Sequence, residues 1–96
     1  MKLQHPLFVV RARPNGTAAM RLAVSAPRGV GRAVARNRAR RRVREAFRTL
    51  IQGLEQRAGC DLVVVVRPPV KSAPHAELRE AAAAALATIA ARSPAT

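Results

Sequence analysis

The sequence predicts a small α+β domain, an α/β two-layer sandwich in which a mixed sheet is covered by helices mainly on one face. Three observations predict this fold. Strand and helix patterns follow one another in the order strand, strand, helix, strand, helix. The chain has 96 residues, which suits a single domain spanning 1–96. Hydrophobic residues make up 49% of it, but Phe8 and Phe47 are the only aromatic ones, so we expect one modest core.

The first two strands are predicted at residues 7–13 and 20–26. In the first, alternation places Phe8 and Val10 on one face and Arg11 and Arg13 on the other. The turn formers at residues 14–16 end this strand. Because the connection to the second strand is short, we expect the two strands to pair antiparallel.

A long helix is predicted from Ala33 to Leu54. Its apolar residues recur every three or four positions, as in an amphipathic helix that faces a core. The members of this stripe are Ala39, Val43, Ala46, Phe47, Leu50, Ile51 and Leu54. We expect Phe47 to lie in the core rather than to stack on a base, because it shares the stripe with Val43 and Leu50.

The last two elements are a strand at residues 61–67 and a helix that ends near Arg92. The strand is a continuous run of β-branched residues, which is typical of a central strand buried on both faces. Since this strand follows the long helix, it can lie parallel to the strand before that helix. Leu78, Ala82, Leu86 and Ile89 mark the apolar side of the last helix, and 93–96 is expected to be a flexible tail.

Charge is the strongest indication of function. The chain has 18 Lys and Arg against 5 Asp and Glu, a formal net charge of +13. Such an excess attracts polyanions and is typical of nucleic-acid-binding domains. Sixteen of the cations are arginines, whose planar donors fit phosphate and stack on bases. A GC-rich genome would also favour Arg over Lys, but it would not explain the total charge.

Other classes of function have little support in the sequence. His5, Cys60 and His75 are too scattered for a metal site, and Cys60 alone cannot form an internal disulfide. Gly29 and Gly31 are not followed by the residues of a phosphate-binding loop. No apolar run is long enough to span a membrane or to form a signal peptide. We therefore expect no catalytic side chains, no metal held by the protein, no membrane partner and no small-molecule substrate, in a cytoplasmic protein.

Nine arginines lie between Arg28 and Arg48, with Glu45 as the only acid among them. At helical spacing Arg38, Arg41 and Arg48 fall on the side opposite Val43 and Phe47. Arg40 and Arg44 lie on one flank of that side and Arg42 on the other. An ordinary solvated helix balances its charges with i,i+4 pairs of opposite sign, whereas close like charges repel. The unbalanced surface therefore indicates a polyanionic partner.

The segment from Ala33 to Arg48 closely resembles the signature of the bacterial ribonuclease P protein. That family has an Arg-Asn-Arg core, a basic pair and then Arg-Glu/Gln-Ala-Phe, which this chain matches at residues 36–38, 40–41 and 44–47. Residues 21–25, 30–31 and 59–65 also resemble the flanking strands and loop of the family. The resemblance covers roughly residues 7–90.

The resemblance implies a ribosomal-protein-S5-domain-2-like sandwich whose signature helix lies in a left-handed βαβ crossover, which is rare elsewhere. It also implies the protein subunit of a ribonucleoprotein endonuclease that removes the 5′ leader from precursor tRNA. In that family the partners are the ribonuclease P RNA and precursor tRNA. The RNA subunit performs the hydrolysis with Mg²⁺, which the RNA mainly holds.

The resemblance and the basic segment together give two sets of site residues. The expected RNA-binding residues are Arg32, Arg36, Asn37, Arg38, Arg40, Arg41, Arg44 and Arg48. A cleft for the single-stranded leader is expected to involve Phe8, Arg11, Arg13 and Arg67. Arg11 stands at a strand position that is often aromatic in the family, and Arg42 stands where an apolar residue is common.

One departure from the family concerns the start of the chain. Family members usually begin with a helix that carries two phenylalanines lining the leader cleft. This chain begins almost at the first strand, so we expect that helix to be absent, or lost through a misassigned start codon or a truncation. A ribosome-associated structural RNA-binding protein is the alternative function, and an enzyme with its own active site is a third.

Overall fold

A computed structural model describes residues 1–54 and 59–92. It contains four strands, namely β1 (Lys2–Gln4), β2 (Phe8–Pro14), β3 (Arg21–Ser25) and β4 (Cys60–Val66), and two long helices, α1 (Ala33–Gln52) and α2 (His75–Arg92). Short 3₁₀ turns lie at Arg28–Val30 and Pro68–Ser72. The expected tail at 93–96 lies outside the described residues.

The four strands form one mixed sheet in the order β1-β2-β4-β3. β4 is antiparallel to β2 and parallel to β3, so β3, α1 and β4 form a strand–helix–strand crossover. This mixed sheet with two helices confirms the predicted fold class. The left-handed crossover and the ribosomal-protein-like topology stay predictions.

The predicted antiparallel pairing of the first two long strands is wrong, because β4 lies between β2 and β3. The loop after β2 folds over the start of β4 and continues on its far side. The Asn15 side-chain amide donates to the Ala19 carbonyl and to Asp61 Oδ1, each at 3.0 Å. The loop passes so close to Gly59 that a Cβ there would lie 1.4 Å from the Thr17 carbonyl oxygen. β4 therefore pairs along both of its edges.

The core lies between one face of the sheet and the two helices. Phe8, Val10 and Ala12 of β2 pair with Val66, Val64 and Leu62 of β4, and all six side chains are buried. The other face of β4 is open, since Val63 is 41% exposed. The prediction that β4 is buried on both faces is therefore wrong. Both helices cover the same side, and the alternate residues of the strands remain outside.

The helices begin and end close to the predicted positions. α1 ends at Gln52 rather than Leu54, because its last turn tightens: the Gly53 amide is shared between the Thr49 and Leu50 carbonyls, and the Leu54 amide bonds to the Ile51 carbonyl, three residues back. Five residues of its stripe are buried and two, Leu50 and Leu54, are half-buried; the buried ones are Ala39, Val43, Ala46, Phe47 and Ile51. The predicted apolar side of α2 is confirmed, since Leu78, Ala82, Leu86 and Ile89 are buried in the same core. This packing fixes which side of α1 faces outward.

Candidate RNA-binding surface

Most charged side chains of α1 lie on its outer face, on the side away from the core. The helix contains seven arginines and one glutamate, and neither its first turn nor its N-cap has an acidic residue. We define the outer face by the exposed residues on the side away from the core, which are Val34, Asn37, Arg38, Arg41, Arg44, Glu45 and Arg48. These positions recur every three or four residues, so their side chains are neighbours on successive turns.

Four arginines of this face are free of protein partners. Their side chains are exposed, and none of the four guanidinium groups bonds to another group within residues 1–54 or 59–92; the four are Arg38, Arg41, Arg44 and Arg48. Arg32, at the N-cap of α1, is exposed as well and makes no side-chain cap bond. Their guanidinium groups can therefore meet an anionic ligand without first breaking an internal bond.

The other arginines of α1 bind the protein itself. Arg36 Nε donates to the Ala26 carbonyl at 3.1 Å, which ties the helix to the segment after β3. Arg40 is half-buried and donates to Asn37 Oδ1. Arg36 and Arg40 are thus expected RNA-binding residues whose side chains are already engaged. The Arg36 bond holds the start of α1 against the segment after β3, whereas the Arg40 bond lies within the helix.

Arg42, on the side of α1 opposite Arg40 and Arg44, makes two hydrogen bonds to backbone carbonyls. Its two terminal nitrogens donate to Val70 at 2.6 Å and to Ala73 at 2.7 Å. These carbonyls lie in the connection between β4 and α2. Arg42 is therefore a structural link between α1 and this connection, which explains a charged residue where the resemblance leads one to expect an apolar one.

A second cationic surface lies on the uncovered side of the sheet. This open sheet face consists of the outward residues of the four strands, namely Lys2, Gln4, Val9, Arg11, Arg13, Arg21, Ala23, Ser25, Asp61, Val63 and Val65. Its centre is apolar, with Val63 exposed and its two neighbouring valines half-buried. Lys2 and Arg11 are opposite each other in the register at one side of this centre. The face thus combines an apolar floor with a basic rim.

Asp61 is the acid of the open sheet face, and it lies between two arginines. In the register it is the partner of Arg13 on β2 and of Arg21 on β3. Arg21 Nε donates to Asp61 Oδ1 at 3.0 Å, the one salt bridge found among the described residues. The hydrogen bond from Asn15 lowers the pKa of the Asp61 carboxyl, and the charge of Arg21 adds to the effect. Asp61 therefore stays ionised and holds the Arg21 side chain across the strands.

The structure separates the four expected leader-cleft residues. Arg11 and Arg13 lie on the open sheet face, and Arg67 follows β4, where it donates to the His5 carbonyl at 3.3 Å. Phe8 lies on the other side of the sheet, is 1% exposed, and packs on Phe47 and His5. Its ring cannot stack on a ligand in this arrangement. Arg67 instead borders an open groove of about 510 Å³, lined also by Gln4, His5, Pro6, Pro68 and Pro69.

Sequence reasoning missed Lys2 and Arg21 on the open sheet face. Strand alternation alone would have placed Arg21 outward on β3, but only the strand order brings it beside Asp61. Lys2 was missed because β1 has three residues and no clear alternation. Arg42 was assigned to the flank of the helix, and no local signal shows that it reaches two carbonyls 28 and 31 residues away.

The described residues contain no group of three His, Cys, Asp or Glu side chains that could hold a metal ion. Cys60 is buried, and burial together with the neighbouring Asp61 charge raises the pKa of its thiol. Such a thiol is a poor nucleophile. Neither described helix has the length and apolar character needed to cross a bilayer.

Comparisons with known proteins agree on one family. The model of the family Ribonuclease P matches residues 1–90. The ribonuclease P protein component of Chloroflexus aurantiacus is 42% identical over 76 residues, which are 78% of this chain and 55% of that relative. The corresponding protein of Shouchella clausii is 41% identical over 73 residues, 75% of this chain and 58% of the relative. The chain thus matches little more than half the length of these relatives.

Solved structures give the same result. The RNase P protein from Thermotoga maritima superposes with a TM-score of 0.74 at 30% identity, over 99% of this chain and 84% of that one. The Staphylococcus aureus RNase P protein gives 0.73 at 25% identity, over 94% and 80%. Sequence and structure together show that the chain belongs to the ribonuclease P protein family.

Proposed function

We propose that this protein is an RNA-binding subunit of ribonuclease P and acts in the cytoplasm. In this proposal its partners are the ribonuclease P RNA and precursor tRNA with a 5′ leader. The RNA subunit cleaves the leader with Mg²⁺ that the RNA mainly holds, and the protein improves substrate binding. Family membership supports the assembly, and the outer face of α1 supports the contact with RNA.

The observation that carries the proposal is the set of free guanidinium groups on the outer face of α1. Folding leaves Arg38, Arg41, Arg44 and Arg48 exposed and unpaired within the described residues. Close like charges on a helix cost a few tenths of a kcal/mol per pair, and phosphates would remove that cost. Arginine forks also fit phosphate oxygens with two parallel hydrogen bonds. A folded RNA is a partner that matches both the charge and its density.

The open sheet face supports a second contact, with the single-stranded leader. Its apolar floor can receive bases, while the rim cations Lys2, Arg11 and Arg13 can meet phosphates. This face is separated from the outer face of α1 by the sheet and the core. The protein can therefore contact the catalytic RNA with one side and the leader with the other.

Reconstitution with a bacterial ribonuclease P RNA tests the proposal. We expect the protein to raise kcat/KM for leader removal from precursor tRNA and to have no cleavage activity without the RNA. Arg41→Ala should weaken binding to the ribonuclease P RNA and leave the fold intact, as judged by circular dichroism. Cleavage by the protein alone that depends on Arg38 or Arg44 would indicate an enzyme with its own active site and would contradict the proposal.

The leader contact is tested with two substrates that differ in leader length. Arg11→Ala should raise KM for a precursor with a leader of several nucleotides and should leave KM unchanged for one with a single leader nucleotide. Arg79→Ala, an exposed change on α2, is the control and should affect neither substrate. Equal effects of Arg11→Ala on both substrates would place Arg11 outside the leader path.

Co-purification from cells distinguishes the proposed function from the alternative, a ribosome-associated structural RNA-binding protein. Such a protein would co-purify with ribosomal subunits and would fail to stimulate leader removal. Co-purification with the ribonuclease P RNA is the expected result.

A further inference from the structure

The outer face of α1 contains an apolar residue that the folding of the protein does not explain. Val34 is 70% exposed, more than either of the other exposed large apolar side chains in the described residues, Met1 and Val63. It lies in the first turn of the helix, and the buried stripe lies on the opposite side. A single exposed apolar residue is ordinary on a protein surface, so its exposure alone indicates nothing.

The position of Val34 within the cationic surface is the informative observation. Asn37 and Arg38 follow it by three and four residues, and Arg41 lies one further turn along the same side. Residues at these spacings are neighbours on a helix surface. The valine therefore lies among the groups that are proposed to bind phosphate, and a ligand held by Arg38 and Arg41 would cover it.

Valine is also a costly choice for the isolated helix. β-Branched residues lose side-chain freedom in a helix and have lower helix propensity than alanine. At an exposed position no burial compensates for this loss. Neither the core nor the helix thus requires a valine at residue 34, whereas a complex that buries it would gain apolar contact.

We propose that Val34 is an apolar contact to the catalytic RNA, packed against ribose and base edges in a shallow minor groove. The minor groove of an RNA helix is wide and shallow and presents sugars and base edges at its surface. In this arrangement Arg38 and Arg41 hold phosphates at the border of the groove, and Val34, one turn before Arg38 on the same side, packs beside them. This inference rests on the proposed function, and it adds a contribution to affinity that does not depend on charge.

Salt titration separates an apolar contact from a charged one. Each phosphate that a cation neutralises adds to the slope of log affinity against log salt, whereas an apolar contact shifts the affinity equally at every salt concentration. The experiment measures binding of Val34→Ala and Arg41→Ala to a bacterial ribonuclease P RNA over a series of KCl concentrations. For Val34→Ala we expect a loss of roughly threefold to tenfold with an unchanged slope, because two methyl groups leave the interface.

The controls separate this effect from a change in folding. Val34→Ala should be at least as stable as the parent to thermal unfolding, since alanine is the better helix former. Thr88→Ala, which also removes a β-branched side chain but lies on α2, should leave RNA affinity unchanged. Val34→Ile, which keeps the apolar surface, should bind the RNA as tightly as the parent protein does.

Three results would overturn the inference and are distinguishable from one another. If Arg41→Ala reduces the slope while Val34→Ala binds like the parent, Val34 is not a contact and the proposed function stands. If neither change alters binding, the outer face of α1 is not the RNA-binding surface, and the proposed function fails together with the inference. A changed slope in Val34→Ala would show that it acts through the arginines and would also count against an apolar contact.

Discussion

The rings of Phe8 on β2 and Phe47 on α1 pack edge to face, with centroids 5.3 Å apart and planes inclined by 69°. Both side chains are buried, and they are the two aromatic residues of the whole sequence. The contact joins the sheet to the inner side of the helix that presents the arginines. The orientation of the cationic surface therefore depends on this pair.

We predict that Phe47→Ala lowers the free energy of unfolding by roughly 3–5 kcal/mol, because it leaves a large cavity between α1 and the sheet. Phe47→Leu retains most of the volume and should cost less than about 1.5 kcal/mol. Urea unfolding followed by circular dichroism measures both. A loss below 1 kcal/mol for the alanine variant would mean that the core closes around the gap, contrary to the packing described.

Adjacent arginines in α1 should have opposite roles. Arg42→Ala removes two hydrogen bonds to the Val70 and Ala73 carbonyls, so it should lower the free energy of unfolding by about 2 kcal/mol. Arg41→Ala removes an exposed side chain without a partner and should change stability by less than about 0.5 kcal/mol. RNA affinity should show the reverse order. Equal destabilisation by the two changes would refute the structural role of Arg42.

Affinity for RNA should depend steeply on salt. If about six phosphates are neutralised, it should drop on the order of a thousandfold between low and moderate salt. Filter binding of a bacterial ribonuclease P RNA at several KCl concentrations measures the slope. The same titration with Arg38→Ala should give a slope lower by about one. A flat profile for the parent protein would mean that the arginines are not the contact.

The helices could be predicted well from the sequence because their signals are local. Val43 and Phe47 define a stripe at helical spacing, and the arginines opposite them are exposed for that reason alone. The strand order could not be predicted in the same way. A short loop favours a hairpin, and the Asn15–Asp61 hydrogen bond that goes with the crossing over β4 joins residues 46 positions apart. Pairing of this kind has no signature within either strand.

The candidate site was predictable in composition but less so in detail. Charge and motif identified the arginines of α1, but they could not separate Arg38, which is free, from Arg36, which bonds to the Ala26 carbonyl. That distinction depends on which carbonyls the fold brings within reach. Phe8 is a related case, because strand alternation puts it on one face but does not say which face the helices cover.

Gly59 and Gly29 provide a matched pair for the crossing loop. A Cβ on Gly59 would lie 1.4 Å from the Thr17 carbonyl oxygen, so the loop must move to admit it, whereas a Cβ on Gly29 meets nothing within 4 Å. Gly59→Ala should therefore lower the free energy of unfolding by roughly 2–3 kcal/mol, in the range of an overpacked site. Gly29→Ala should change it by less than about 0.5 kcal/mol. Chemical denaturation of both variants checks the difference, and equal stabilities would contradict the loop path.

Asp61 should make stability depend on pH in the acid range. Its pKa in the folded protein is lowered, first by the hydrogen bond from Asn15 and then by the charge of Arg21. The unfolded chain, in which a typical Asp has a pKa of about 3.9, therefore binds the proton more readily than the folded one. It follows that the contribution of Asp61 to stability is complete above that value and is lost as pH falls through the lower, folded pKa.

The comparison with Asp61→Asn isolates this contribution. The difference in unfolding free energy between parent and variant should be constant from neutral pH to about pH 5 and should then shrink toward lower pH. Denaturation measured at intervals of half a pH unit gives the curve. Because the Arg21 pairing lies at an exposed strand edge, added salt should reduce the difference at neutral pH as well. A difference that grows on acidification would mean that the folded protein raises the pKa of this carboxyl, and the pairing with Asn15 and Arg21 would then be refuted.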